Sequence, residues 1–244
     1  MSFNLPTETI DLPSKGLVYP ENHALSSGTI EIKYMTAKEE DILTNQNYIK
    51  EGTVLDKLLE SLIITKFNYN DLVIGDKNAI MIASRILGYG AEYKFIYNGT
   101  EETIDLSQIE NKPLDESLYT KGQNEFTFDL PNSDNSITFK LLTHGDEIKI
   151  NQELEGIKKI KRNSSPELTT RLKHMVTSIN GDPENKSIRE FVDQAFLARD
   201  ARAFREFIQK IQPDVDLTFF PSTSTTPVSI PIGINFFWPD ADFS

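Results

Sequence analysis

The residues best suited to chemistry are thinly spread along this chain. His23, His144 and His174 are its only imidazoles, and none has a carboxylate or second histidine at metal-ligand spacing. His174 follows Lys173 on a predicted helix, where a solvated or core-edge role is expected. Carboxylates gather at Glu39-Glu40-Asp41, Glu101-Glu102 and Asp240/Asp242. A carboxylate pair does acid–base work only inside a shaped cleft, and these positions read as solvated helix and hairpin faces. Gly88-Tyr89-Gly90 resembles part of a phosphate-binding loop but follows a helix rather than opening one, so it reads as a helix stop. There is no cysteine, which excludes disulfides, thiolate zinc sites and cysteine nucleophiles. No Gly-x-Ser-x-Gly, Walker or kinase signature occurs. Asn98-Gly99-Thr100 fits a glycosylation sequon but reads as a turn. No cofactor is implied.

The residues that call for an explanation are apolar. Pro221 to Pro227 is a Ser/Thr/Pro stretch that leads into Val228, Ile230 and Ile232, then Phe236-Phe237-Trp238 and an acidic end. Each large ring buries roughly 150–250 Å² when packed, and a terminus stays ordered only when something ties it down. The tail therefore docks, either as a last strand on its own core or by inserting into a neighbouring subunit. In the second case Ile230, Ile232, Phe236, Phe237 and Trp238 form the partner-binding set, and the partner is another protein or a second copy of this chain.

The elements that position these residues follow from periodicity and punctuation. Residues 1–35 read as extended, with Gly28–Tyr34 alternating like a half-buried strand. Thr36-Ala-Lys-Glu39 has capping-box spacing ahead of Ile42, Leu43 and Tyr48. Thr53 to Asp56 opens a helix carrying Val54, Leu55, Leu58, Leu59, Leu62 and Ile63. A third helix is expected from Asp76, as an N-terminal cap, to Gly88 or Gly90; its apolar residues cover more than one face, which predicts burial on several sides. Asn98-Gly99 marks a hairpin, and Asn124–Leu130 with Ser136–Leu142 forms a second pair. After Gly145 helices return: one is opened by Ser165-Pro166 with Leu168, Leu172, Met175 and Val176, and another by a capping box at Ser187-Ile-Arg-Glu190, with a break near Asp200.

The expected class is α+β, with mainly helical N- and C-terminal regions flanking a small antiparallel β module and ending in an extended tail. The expected divisions are 1–90 (extended segment plus helical domain), 91–144 (β module), 145–212 (helical region) and 213–244 (tail). The 244 residues suffice for a sizeable core. The N-terminus has no secretory pattern, and no apolar run reaches the ~18–20 residues of a membrane span. A net charge of −12 disfavours nucleic acid as a partner and suits specific, basic protein surfaces. The one basic cluster, Lys158-Lys159-Ile-Lys161-Arg162, lacks interleaved aromatics and reads as a favourable helix end.

Four blocks taken together resemble a known family: Leu12-Pro-Ser-Lys-Gly-Leu-Val-Tyr-Pro20, Ala37-Lys-Glu-Glu-Asp-Ile-Leu43, Gly52-Thr-Val-Leu-Asp-Lys-Leu-Leu59 and Leu72-Val-Ile-Gly-Asp-Lys-Asn-Ala-Ile80. With the ending Phe236-Phe237-Trp238-Pro239, they are similar to baseplate hub and hub-assembly proteins of T-even-like contractile-tailed bacteriophages. The resemblance covers about the first 90 residues well and the tail moderately. It implies a non-enzymatic tail protein that contacts other baseplate and hub proteins, in the host bacterial cytoplasm during assembly and in the virion tail baseplate if structural. The alternative within the family is a transient assembly chaperone absent from the virion; the remote one is a hydrolase with acidic residues in a cleft. Members of the family often carry a four-cysteine zinc ribbon near positions 91–110. Here a metal-free hairpin at Asn98-Gly99 stands in that place.

Overall fold

Antiparallel pairing starts at the N-terminus, where β1 (Thr7–Asp11) lies against β2 (Thr29–Lys33) with Ile10 opposite Ile30. The computed structural model describes residues 5–160 and 166–237. The Leu12–Pro20 block forms the loop after β1 and presses tightly on the chain ahead of β2. A Cβ on Gly16 (φ +77°) would sit 2.4 Å from the Ser26 carbonyl oxygen, so both the left-handed backbone and the close approach require glycine there.

The capping box at Thr36 forms as its spacing predicts and opens α1 (Ala37–Leu43). The chain then departs from a single helix: Asn45 caps two further N–H groups and starts α2 (Gln46–Glu51), which Gly52 ends at φ +70°. Thr53 precedes α3 (Val54–Leu62), which buries Val54, Leu58, Leu59 and Leu62. The long helix α4 (Ile74–Tyr89) starts two residues before Asp76 and runs through Gly88 to a cap at Gly90. Asp76 does not cap it. Its carboxylate points out of the helix to another part of the chain, as described below. Gly75, Asp76, Ala79, Ile80, Met81, Ile82, Ser84 and Arg85 are all buried, so α4 is the central helix that its all-round apolarity predicts.

Strands β3 (Glu92–Tyr97) and β4 (Thr100–Asp105) form the Asn98-Gly99 hairpin, with both turn residues at positive φ. The second expected pair, β5 (Phe126–Asp129) and β6 (Ser136–Phe139), belongs to a different sheet. After α5 (His144–Ile160) and α6 (Glu167–Met175), β7 (Val176–Ile179) completes that sheet in the order β5-β6-β7. Val176, expected on a helical face, is thus a strand residue, and the region 145–212 contributes a strand as well as helices. Pro166 is the cap residue of α6, while Ser165 lies outside the described residues, as do Lys161 and Arg162 of the basic cluster.

Helix α7 (Asn185–Gln194) begins two residues before Ser187, with Glu184 at its cap, so the Ser187–Glu190 spacing lies inside the helix rather than boxing its start. The expected break falls at 195–197, and α8 (Ala198–Ile211) follows. Asp200, buried in its first turn, accepts hydrogen bonds from the Asn132 N–H, the Asn132 amide and the Ser133 hydroxyl, which ties the helix to the β5–β6 turn. The described residues close with the two-residue strands β8 (Thr218–Phe219) and β9 (Val228–Ser229) and a single turn, α9 (Ile234–Phe237). Helices with, among the described residues, four small antiparallel sheets make this an α+β protein. Among the described residues no helix is long and apolar enough to cross a membrane.

Candidate functional site

The tail docks on its own domain. Phe236 and Phe237 are 1% and 0% exposed and Ile230 is 4% exposed, all within the chain's main core; Ile232 is half-buried against it. Phe236 meets Tyr93 of the hairpin edge-on at 4.9 Å and Phe237 at 5.5 Å. The buried guanidinium of Arg85 donates from Nε to the Phe236 carbonyl (2.8 Å) and from Nη1 to that of Gly90 (2.9 Å), fixing the last turn to the end of α4. Upstream, residues 214–216 pair with 110–112, and the Ser222 N–H and hydroxyl both donate to Glu102. Of the expected partner-binding set, Ile230, Phe236 and Phe237 therefore have no surface to present in this conformation. The physical reason is that two adjacent rings on one turn fit the space between α4 and the hairpin. Trp238 lies outside the described residues.

A cleft of about 820 Å³ is bounded by the starts of α3 and α4 and by one face each of α5, α6 and α8. On α5 the lining positions include His144, Glu147, Ile148, Asn151, Gln152 and Glu155, an i, i+3, i+4, i+7 pattern. Met81, Leu142, Leu172, Met175 and Ile208 form an apolar floor of buried side chains. Asn78, Gln209 and Gln212 add amides at the rim.

A polar network closes the end near α3. Lys77 Nζ donates to Asp56 Oδ1 (2.5 Å) and lies 3.3 Å from His144 Nδ1, and the Tyr69 hydroxyl also donates to Asp56 Oδ1 (3.2 Å). Tyr69 packs edge-on against the imidazole at 4.7 Å. With an ammonium donating to it, Nδ1 is an acceptor, so Nε2 carries the proton of a neutral ring. Burial, reinforced by the Lys77 charge, holds the His144 pKa below the ordinary imidazole value. Such a ring offers an N–H donor and is poorly placed as a general base, because its one lone pair faces a cation. Thr53, also on the cleft wall, has a buried hydroxyl with no hydrogen-bond partner among the described residues. Further along, Arg171 grips Glu147 in a two-pronged pair at 2.5 and 2.9 Å.

The other imidazoles are structural. His174 Nε2 meets Glu153 at 2.9 Å, and Arg189 donates to both oxygens of the same carboxylate at 2.7 Å, which locks α5, α6 and α7 together. Arg189, aided by His174, holds Glu153 at about 2 against the opposing effect of burial. His23 caps a short 3-10 turn through Nδ1 and stacks on Tyr19. Of the carboxylate clusters, Glu39 is fully buried rather than solvated. Burial alone would raise its pKa, but hydrogen bonds from Lys33, Thr36 and Ser61 outweigh that and hold it at about 2. Glu102 is buried too, under the tail. Asp240 and Asp242 lie outside the described residues. Among the described residues no group of three or more His, Asp or Glu is placed to hold a metal ion.

Sequence reasoning missed the cleft because its walls come from segments up to about 160 positions apart, each showing only ordinary helical periodicity. The one available signal was the polar run at α5 positions 144, 147, 151 and 155 on the same face as Ile148. No protein-family model, curated protein or solved structure matches this chain.

Proposed function

We propose that this chain is a baseplate hub protein of a contractile-tailed bacteriophage, acting through protein–protein contacts rather than by catalysis. One observation carries the reading beyond the resemblance of sequence blocks. The first and fourth blocks, some 60 residues apart, meet in a single buried network. Asp76 accepts from the Ser14 N–H (2.9 Å), the Ser14 hydroxyl (2.7 Å) and the Tyr19 hydroxyl (2.7 Å), and Tyr19 accepts in turn from the Val73 N–H (3.1 Å). The second block supplies Glu39, which the Ser61 hydroxyl at the end of α3 reaches at 2.7 Å; the third block opens that helix. The blocks thus serve one scaffold, which gives their joint occurrence a physical reason and supports reading them as shape-building residues. The acidic, cysteine-free surface suits an assembly protein of this kind.

A second reading, a transient hub-assembly factor, draws support from the cleft. Its modest size, apolar floor and polar rim fit a reversible contact. Particle composition separates the two readings: a structural component co-purifies with finished tails at a fixed ratio, and an assembly factor is found only in intermediates. Recovery with no tail protein from infected cells would refute both.

A further inference from the structure

We infer that the cleft bounded by α5, α6 and α8 is a docking groove for one amphipathic helix of a partner protein, neutral to basic on its polar side. This rests on the reading of the chain as a protein-binding component. Three observations lead to it.

The first is shape. The α5 face from His144 to Glu155 spans eleven residue steps, about 16 Å or three helical turns, and α6 and α8 flank it with faces of similar spacing. Recognition of a helix in a groove uses anchors at i, i+3 or i+4 and i+7, a period that such a trough matches. The second is the apolar surface. Two methionines in the floor give an adaptable lining, and above it Ile148 and Leu168 stay 39% and 46% exposed on facing helices. The third is charge. Asp56 and Glu147 are neutralised by Lys77 and Arg171. At the rim Glu51 and Glu155 are exposed, and among the described residues no cation is paired to them and Arg205 is the one unpaired cation there. A chain of net charge −12 repels a second copy of itself. These features favour a foreign helix bearing lysine or arginine opposite Glu51 and Glu155. His144 Nε2–H, free of a partner among the described residues, supplies one hydrogen-bond donor on the groove wall.

The test uses the full chain and two synthetic amphipathic helices of about 15 residues, one of leucine and lysine and one of leucine and glutamate, followed by fluorescence anisotropy. The double variant Ile148→Gln, Leu168→Gln removes half-exposed side chains and keeps helix-compatible residues, so its melting temperature stays near the parent's. Ile96→Gln, at a residue 76% exposed on the hairpin, is the control. The expected result is that the parent and the control bind the leucine–lysine helix alike, the double variant binds it about tenfold more weakly or worse, and the leucine–glutamate helix binds poorly to all. Equal affinity of the folded double variant, equal binding of the acidic helix, or parent self-association abolished by the double variant would each overturn the inference. Failure here and failure of the hub reading are distinguishable: a folded double variant that enters tails normally refutes the groove alone. A chain that binds the helix as expected yet accompanies no tail protein refutes the hub reading alone.

Discussion

Replacing Phe237 by alanine tests whether the tail belongs to this chain's own core. The ring is fully buried, and its neighbour Phe236 is 1% exposed and held by the Arg85 bond to its carbonyl. A phenylalanine buries some 150–250 Å², which at about 25 cal/mol/Å² is worth about 4–6 kcal/mol. Residual burial in the denatured chain reduces this by about a tenth to two-fifths. That brackets about 2–6 kcal/mol, and the about 3–5 kcal/mol seen for buried Phe→Ala changes lies inside it. For a chain of 244 residues a loss of about 3–5 kcal/mol lowers Tm by roughly 6–20 °C. Urea denaturation followed by circular dichroism measures it, with Phe220→Ala as control, since Phe220 is 64% exposed and should shift stability by less than about 0.5 kcal/mol. A loss below about 1 kcal/mol for Phe237→Ala would mean that the tail is not docked in cis. The same reasoning makes a truncation at Gln212 unsuitable for separating binding from folding, because it removes core residues.

Other outcomes follow from buried polar groups and close backbone contacts. Burial pushes Asp76 up to about 6 despite its three donors. A raised carboxyl pKa gives stability that is fully present below about pH 4 and lost as pH rises through 6, and Asp76→Asn should flatten this part of a stability–pH curve. Glu153 has the opposite sign: held at about 2, it contributes stability present above about pH 4.5 and lost as pH falls towards 2. Glu153→Gln should therefore destabilise at pH 7 and do so far less at pH 2, where the carboxyl is already half protonated, as read by chemical denaturation at the two pH values. A Cβ on Gly75 would lie 1.7 Å from the Pro213 carbonyl oxygen, so Gly75→Ala should loosen residues 213–216 from the start of α4. Faster hydrogen exchange at the Asp216 N–H, which bonds the Glu110 carbonyl, is the sign to look for.

Local signals in this sequence were legible where a few adjacent residues decide the structure. The Thr36–Glu39 box and the Asn98-Gly99 turn each act within four residues, and each formed where its spacing pointed. Local reading failed where a distant partner competed. Asp76 looks like a cap, but Ser14 and Tyr19 claim its carboxylate. Ser187 and Glu190 have the spacing of a box, yet Asp182 and Glu184 place the chain so that the helix starts earlier. Val176 continues a helical apolar pattern but finds Phe139 across a sheet. Phe236 and Phe237 of the aromatic ending dock, as their apolarity demands, while Trp238 lies outside the described residues. Whether the ending docks in cis or in trans depends on the space between α4 and the hairpin, which no local pattern encodes. The cleft was hidden for the same reason: His144, Asp56 and Lys77 meet only after three helices pack.

The most direct test of the hub assignment is quantitative mass spectrometry of purified phage tails alongside complexes isolated from infected cells. The account predicts this chain in the tails at a fixed ratio to baseplate proteins. Its absence from tails, with no tail protein among its complexes, would contradict the account.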